Sequence, residues 1–535
     1  MRGTRIAPLI VACVAVVAYG NSVFHGFVYD DDLTVAECSL ITSWSHIGGL
    51  FTQAYFRETI EMSWRPLVTL SHFLDHSLFG TAPWGYHLMN VLWHAAACIA
   101  LYALLRSLVG GVVGAAVGAC LFAVHPLVSE PVNAVSFRED LIAALFVAAA
   151  VALAVRALRG EGLGIPMVLG SGLASLLACL AKETGLVAPL IIALWWVLGG
   201  RRDVRCGAGR MLALAMVQFG VMLLYWFLRF RLMVPEQSVT VPPWGDSAAA
   251  AVWNFPRIFF HGLWLTLWPQ GLSADREWEA LALLSSIRLW LGWCGILLWL
   301  WAIWRCRGSR APLGLGMGWW LLSLLPVSNL IPLANPVADR YFYLPLMGIA
   351  VIMAWCVERA TVEDPVPLIP ARQMIWAMSF VGIALLAVTV NRNLVWGDAG
   401  RLWEATLDVE PNSTTALNNL GCIRLQQGRP AEAAALLERG IDLAPGDTDL
   451  VNNWGIAMVQ LQRWDEARRA FEWSVLRVPG DPVAHWRLAL CLANSTSPDH
   501  GRAWDEMLIA ERMGYEIPES FRADLSSHLL QENSS

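Results

Sequence analysis

Three aspartates, Asp30, Asp31 and Asp32, stand side by side in the run Val28-Tyr29-Asp30-Asp31-Asp32, just beyond the first hydrophobic segment. Adjacent carboxylates at the rim of a bilayer are costly unless they do chemistry or hold something positive. One of them can serve as a general base toward a hydroxyl. Such neighbours titrate as a coupled set, so one can be protonated while another is charged. They could alternatively bind a hard divalent cation. The plainer reading is a helix cap with solvated turn acids. Charged groups recur further along an otherwise apolar chain at Arg65, His125, Glu130, Arg138-Glu139-Asp140, Lys182-Glu183 and Asp339-Arg340. Acids beside guanidinium and ammonium groups suit transfer from a donor with an anionic leaving group. The carboxylate takes the acceptor's proton and the cations stabilise the departing phosphate. Arg138, Lys182 and Arg340 are the expected phosphate ligands. Asp32, Arg65, His125, Glu130, Glu139, Asp140, Glu183 and Asp339 are expected to support them, although local salt bridges would also account for several. The chain has no Walker A loop, GxSxG elbow or HExxH helix, so nucleotide-driven, serine-hydrolase and zincin chemistry lack their parts.

These groups need a scaffold, and the composition points to a membrane. Hydrophobic residues make up 56% of the 535 and charged residues 15%, which fits a polytopic membrane protein. Net charge −6 argues against a nucleic-acid partner. The 11 cysteines are scattered without a CxxC and read as small buried hydrophobes. Lys182 is the sole lysine among 37 basic residues, a skew that fits a GC-rich bacterial genome. The polar balance divides the chain into an apolar part, 1–391, and a soluble-like part, 392–535.

The first apolar run, 6–23, follows Arg2 and Arg5 and reads as a span with a cytoplasmic N-terminus. Residues 24–85 then form a long extracytoplasmic loop. Ten further spans read as about 86–105, 109–126, 140–156, 164–181, 184–199, 211–228, 286–304, 312–331, 341–357 and 374–391. Segment 251–270 contains Pro256, Arg257 and His261 and reads as re-entrant or interfacial. The layout puts Arg106, Arg156, Arg159, Arg201, Arg202, Arg205, Arg210, Arg305, Arg307, Arg310, Arg359 and Arg372 inside, with few acids beside them (Glu161, Asp203, Glu358, Glu363, Asp364). It puts every charged cluster named above outside, together with Glu37, Glu58 and Glu61, level with the outer interface. The 28 tryptophans gather near span ends as interfacial anchors.

The soluble-like part is periodic. Pro411, Pro445 and Pro479 are 34 residues apart, and so are Leu420-Gly421, Trp454-Gly455 and Leu488-Ala489. That period with small residues at fixed places is the tetratricopeptide signature. Ala399, Trp403 and Pro411 fit the second half of a preceding repeat, and register is lost near 495–500. Such arrays bind extended peptides or partner helices in a groove.

The ordered set of motifs resembles the transmembrane and tetratricopeptide-repeat O-mannosyltransferases and their bacterial relatives, within the GT-C glycosyltransferase fold. The stretches that carry the resemblance are Gly26 to Asp32, Trp64-Arg65-Pro66-Leu67 with Ser71, and Tyr86-His87-Leu88-Met89-Asn90 with His94. They continue with Phe122-Ala123-Val124-His125-Pro126 through Glu130, Arg138-Glu139-Asp140, Ala181-Lys182-Glu183, and Ala338 to Pro345. The resemblance implies an all-α GT-C bundle of about eleven spans followed by a repeat solenoid. It implies a catalytic carboxylate at Asp30 or Asp31, with Tyr29 where relatives often carry tryptophan, and no required cofactor. It also implies a polyprenyl-phosphate-linked sugar, mannose by analogy, moved to a protein or lipid hydroxyl by single displacement with inversion. The expected setting is a bacterial inner membrane, with the repeats periplasmic and holding a protein acceptor or partner. The rivals are transfer to lipid or envelope polysaccharide, and a non-catalytic scaffold acting through its repeats.

Overall fold

The computed structural model describes residues 3–59, 63–161, 164–203, 205–233, 241–282, 284, 286–361 and 371–532. Glu61, Glu363 and Asp364 lie outside them, as do the side chains of Glu58, Arg201, Arg202 and Asp203. Every regular element among the described residues is helical. The chain separates into two compact units, 1–398 and 399–535. The last apolar helix, Ala371–Val395, runs past residue 391, where the composition changes.

Helices occupy all eleven positions expected for spans. Among the described residues seven are long and apolar enough to cross a membrane, or eight if the bent pair Val112–Ala123 and Pro126–Asn133 is one span, broken by 56°. Ile165–Ala181, Val187–Asp203 and Ala311–Leu324 are shorter than a straight crossing requires. Most of segment 251–270 lies in a helix, Ala248–Leu267, with Pro256 inside it.

At the centre of the first unit lies Arg138–Leu158, packed against Pro83–Val109 and Ile165–Ala181. Its run of alanines lets neighbouring backbones approach closely, which is how helices associate where burial in lipid gives no hydrophobic gain. Gly316 and Gly348 do the same between their two helices, since a Cβ on either would lie 2.5 Å from the other's carbonyl oxygen. The first loop is folded and packs against the helical unit through Tyr86, Val135 and Met233. Leu50, Tyr55, Trp64 and Phe73 form a small core there. The Trp64 indole donates to the Leu50 carbonyl (2.8 Å), and Pro66 opens the helix Pro66–Phe79 with Arg65 as its cap residue.

The second unit is a succession of antiparallel helix pairs from Ala399–Val409 to Glu519–Glu532. Ser413, Asp447 and Asp481 each cap the first helix of a pair and accept a backbone N–H from the first turn. These caps share the 34-residue period, so it marks helix starts as well as packing positions. Gly455 faces Phe471 so closely that an added Cβ would lie 2.8 Å from the ring. Gly455→Val is expected to destabilise this unit by about 1–3 kcal/mol through overpacking. Hydrogen exchange of the full chain would read that loss in Thr448–Gln460 and Trp464–Arg477; unchanged protection there would refute it.

Candidate active site

The three aspartates are sorted by the backbone around them. Tyr29 adopts the left-handed region (φ 61°), which costs free energy for a bulky residue, and its ring packs on Phe137 (5.1 Å between centroids). After this turn Asp31 points inward. It is fully buried and accepts the Val28 N–H (3.2 Å) and the Ser136 N–H (2.7 Å) on its two oxygens. Asp30 and Asp32 are exposed. The run is therefore bolted to the turn before Arg138–Leu158 by its middle member, which holds Asp30 at the surface.

Asp30 is accessible but recessed. Partial burial raises its carboxyl, the Arg340 charge pulls it down and Glu139 pushes it up. For Asp31, burial outweighs the two backbone N–H bonds and pushes the carboxyl up to about 7. A carboxyl raised on folding contributes stability that is present below its unfolded value, near 3.9, and is lost as pH rises through the folded value. The melting temperature of wild-type protein should accordingly fall between about pH 4 and pH 7 by more than that of Asp31→Asn. Parallel pH profiles for the two proteins would contradict this.

Arg340 is the cation whose charge reaches Asp30. Its guanidinium donates to Glu130 Oε1 (2.8 Å) and its backbone N–H to Glu130 Oε2 (2.9 Å), so one carboxylate fixes both ends of the residue. The guanidinium lies over Phe137, 4.2 Å from the ring centroid, and the Tyr29 ring packs against the same Phe137 at a tilt of 59°. Asp339 accepts Arg276 Nε (2.6 Å) and NH2 (3.0 Å) in a fork, and also the Ser273 N–H (2.8 Å).

A second group of charges gathers around the start of Arg138–Leu158. Lys182 donates to Asp140 (2.6 Å) and lies 3.5 Å from Glu139. Arg65 reaches Glu139 (3.1 Å) and Glu183 (3.9 Å), and Arg229 pairs with Glu183 (2.6 Å). The Arg65 N–H donates to the Tyr55 hydroxyl (3.1 Å), so the folded loop sets this residue's place. Asp140 and Asp30 both feel Arg340 and Glu139, so the two groups form one continuous field.

Two expected site residues are sealed away. Arg138 is fully buried and pairs with Asp75, while Asn90 Oδ1 (2.6 Å), Ser71 Oγ (3.1 Å) and the Tyr86 carbonyl (3.1 Å) accept further donors of its fork. Four of its five N–H groups are used and the side chain is fully enclosed, so it stands as an internal strut. His125 accepts the Leu127 N–H on Nδ1 (3.2 Å) and donates from Nε2 to the Thr266 carbonyl (3.0 Å). Both ring nitrogens are used, so it closes a turn and does not line a path. His87 and His94 are buried, as expected of core histidines, and bond to the Gly26 carbonyl and to the Tyr343 hydroxyl. Asp75, Arg229 and Arg276 are charged members of this region that the sequence reading passed over. The signal for Arg276 was available: Asp275-Arg276 is a charged pair just after an apolar helix, like the other clusters.

Among the described residues no three His, Cys, Asp or Glu side chains converge in a way that could hold a metal ion.

A multi-pass helical membrane unit with a charged cluster at one end, continued by helical repeats, defines the class of this protein. The repeats are tetratricopeptide repeats, matched by two models of that description over residues 395–448 and 424–491. The chain as a whole is similar to protein O-mannosyl-transferases, as its motifs suggest. It is 26% identical to TMTC3 of Mus musculus over 461 residues, which are 78% of this chain and 48% of that protein. It is 28% identical to TMTC2 of Mus musculus over 53% of this chain and 37% of that one. With Tmtc1 of Drosophila melanogaster it shares 24% identity over 79% of this chain and 60% of the relative. The chain thus spans about half the length of the curated relatives it matches. Among solved structures it is similar to ArnT from Cupriavidus metallidurans bound to undecaprenyl phosphate, with TM-score 0.40 and 14% identity over 87% of this chain and 79% of that one. It is also similar to the archaeal oligosaccharyltransferase AglB from Archaeoglobus fulgidus, in complex with an inhibitory peptide and a dolichol-phosphate. There the TM-score is 0.40 and the identity 12%, over 77% of this chain and 59% of that one.

Proposed function

We propose that this protein is a GT-C-type membrane glycosyltransferase that moves a sugar, mannose by analogy, from a polyprenyl-phosphate donor to a hydroxyl acceptor, with protein as the acceptor. The observation that carries the reading is an accessible carboxylate, Asp30, within the field of a guanidinium, Arg340, whose position is fixed by Glu130 and Phe137. Asp30 takes the proton of the acceptor hydroxyl. The freed oxygen attacks the anomeric carbon as the bond to phosphate breaks, and Arg340 stabilises the charge that the phosphate carries away. One base and one leaving group make a single displacement with inversion. Asp31 is the positioning residue that turns Asp30 outward. Lys182 and Arg65, each shared with Glu139, keep the neighbouring field near neutral so that the anionic phosphodiester headgroup can enter. The step described uses no cation.

The orientation that keeps the clustered loop arginines inside puts the N-terminus in the cytoplasm, this site outside and the repeats in the periplasm of a bacterial inner membrane. The repeats would hold the protein acceptor or a partner enzyme. The test is incubation of purified full-length protein in nanodiscs with radiolabelled polyprenyl-phosphate mannose and serine- and threonine-containing peptides. Transfer to peptide is the expected result, while label entering only lipid would replace the acceptor class. No transfer with any sugar carried on that lipid would dismiss the enzyme reading in favour of a scaffold.

A further inference from the structure

The positive charges around the site differ in how far they are already committed. Arg138 is enclosed with Asp75, Lys182 lies between Asp140 and Glu139, Arg276 is forked onto Asp339, and Arg340 leans on Glu130. Arg392 is the exception. It lies near the end of Ala371–Val395, a helix docked on the segment that carries Glu130. Thr389 donates to the Val124 carbonyl (2.7 Å), and Asn393 bonds to Asn133 (2.9 Å) and to the Ala18 carbonyl (2.9 Å). Those contacts on both sides of Arg392 leave its side chain little choice of direction. Its Nε is buried without a hydrogen-bond partner, and among the described residues its guanidinium has no ion pair. The charges of Asp339, Glu130 and Arg276 all reach it. A half-buried guanidinium without an anion carries a desolvation penalty that the ligand-free fold does not offset. An arriving phosphate would offset it.

We infer that Arg392 is the second guanidinium, beside Arg340, that grips the phosphate of the lipid-linked donor. This rests on the transferase reading and names a ligand for it. The two arginines are held differently, Arg340 by a carboxylate and Arg392 by the packing of its helix. Arg340 therefore keeps its place whether or not donor is present, whereas Arg392 gains its counter-charge only on binding. Donor affinity should depend on Arg392 more than ligand-free stability does.

The experiment uses full-length protein in nanodiscs with undecaprenyl phosphate as the probe, and compares wild type, Arg392→Gln and Arg392→Lys. Arg392→Gln should bind the lipid at least tenfold more weakly, with Arg392→Lys recovering much of the loss. The ligand-free melting temperature of Arg392→Gln should stay level or rise. Inorganic phosphate should compete for the site in wild type and lose that effect in Arg392→Gln. Equal lipid affinity in Arg392→Gln and wild type would overturn the assignment and leave the transferase reading standing. A lower ligand-free melting temperature in Arg392→Gln would make the residue a structural strut and overturn it as well. Wild type that binds no lipid phosphate would overturn both.

Discussion

Asp30→Asn should lower the turnover of sugar transfer by about a hundredfold to ten-thousandfold while leaving the protein folded, the span expected when a general base is removed. Asp30 is exposed and, unlike Asp31, is not tied to the Ser136 backbone, so the amide substitutes for it sterically without orphaning a buried donor. The measurement is single-turnover transfer from a radiolabelled donor, read together with a melting curve. Asp31→Asn behaves differently. An amide there turns an N–H group toward one of two backbone N–H donors, so stability falls by about 1–3 kcal/mol and transfer falls with it. A normal rate in Asp30→Asn beside a dead but folded Asp31→Asn would reverse the roles assigned to the two residues.

The largest effect on stability is expected at Arg138. Arg138→Met leaves Asp75 buried without a counter-charge and leaves Asn90, Ser71 and the Tyr86 carbonyl without their donor. Breaking a buried pair from one side costs about 3–5 kcal/mol. The double variant Arg138→Met with Asp75→Leu should regain a large part of that loss, since no charge is then stranded. Denaturation of detergent-solubilised protein measures both, and a double variant no better than the single one would show that the strut's worth lies in its other bonds. A phosphate ligand at this position would show the opposite pattern, with activity lost and stability kept.

Much of this arrangement was legible in the residues themselves. A charged residue inside an apolar run is conspicuous, which is why Arg138-Glu139-Asp140, Lys182-Glu183 and Asp339-Arg340 stood out, and Lys182 does meet Glu139 and Asp140. The fixed 34-residue spacing of Pro411, Pro445 and Pro479 likewise revealed the repeats, because a solenoid places one residue type at one structural position again and again. Partner choice was not legible. Asp75 lies in a polar loop where an acid is unremarked, and only the folding of that loop carries it to Arg138. Nor could spacing tell Asp30 from Asp31, since their orientations follow from a backbone turn at the preceding Tyr29 whose left-handed geometry no side-chain pattern announces. Span length was the other blind spot. The apolar stretches 164–181 and 312–331 read as full crossings, but their helices, Ile165–Ala181 and Ala311–Leu324, are shorter than a straight crossing.

Lys182 has a practical consequence. With a single ε-amine in the whole sequence, acylation has one side-chain target, and that amine is covered and held by two carboxylates. Reagent can reach it only when Asp140 and Glu139 let go, so the rate of modification becomes a clock for opening of this corner of the molecule. Run with and without donor, that clock would time how often the charged chamber unlocks, with no engineered label.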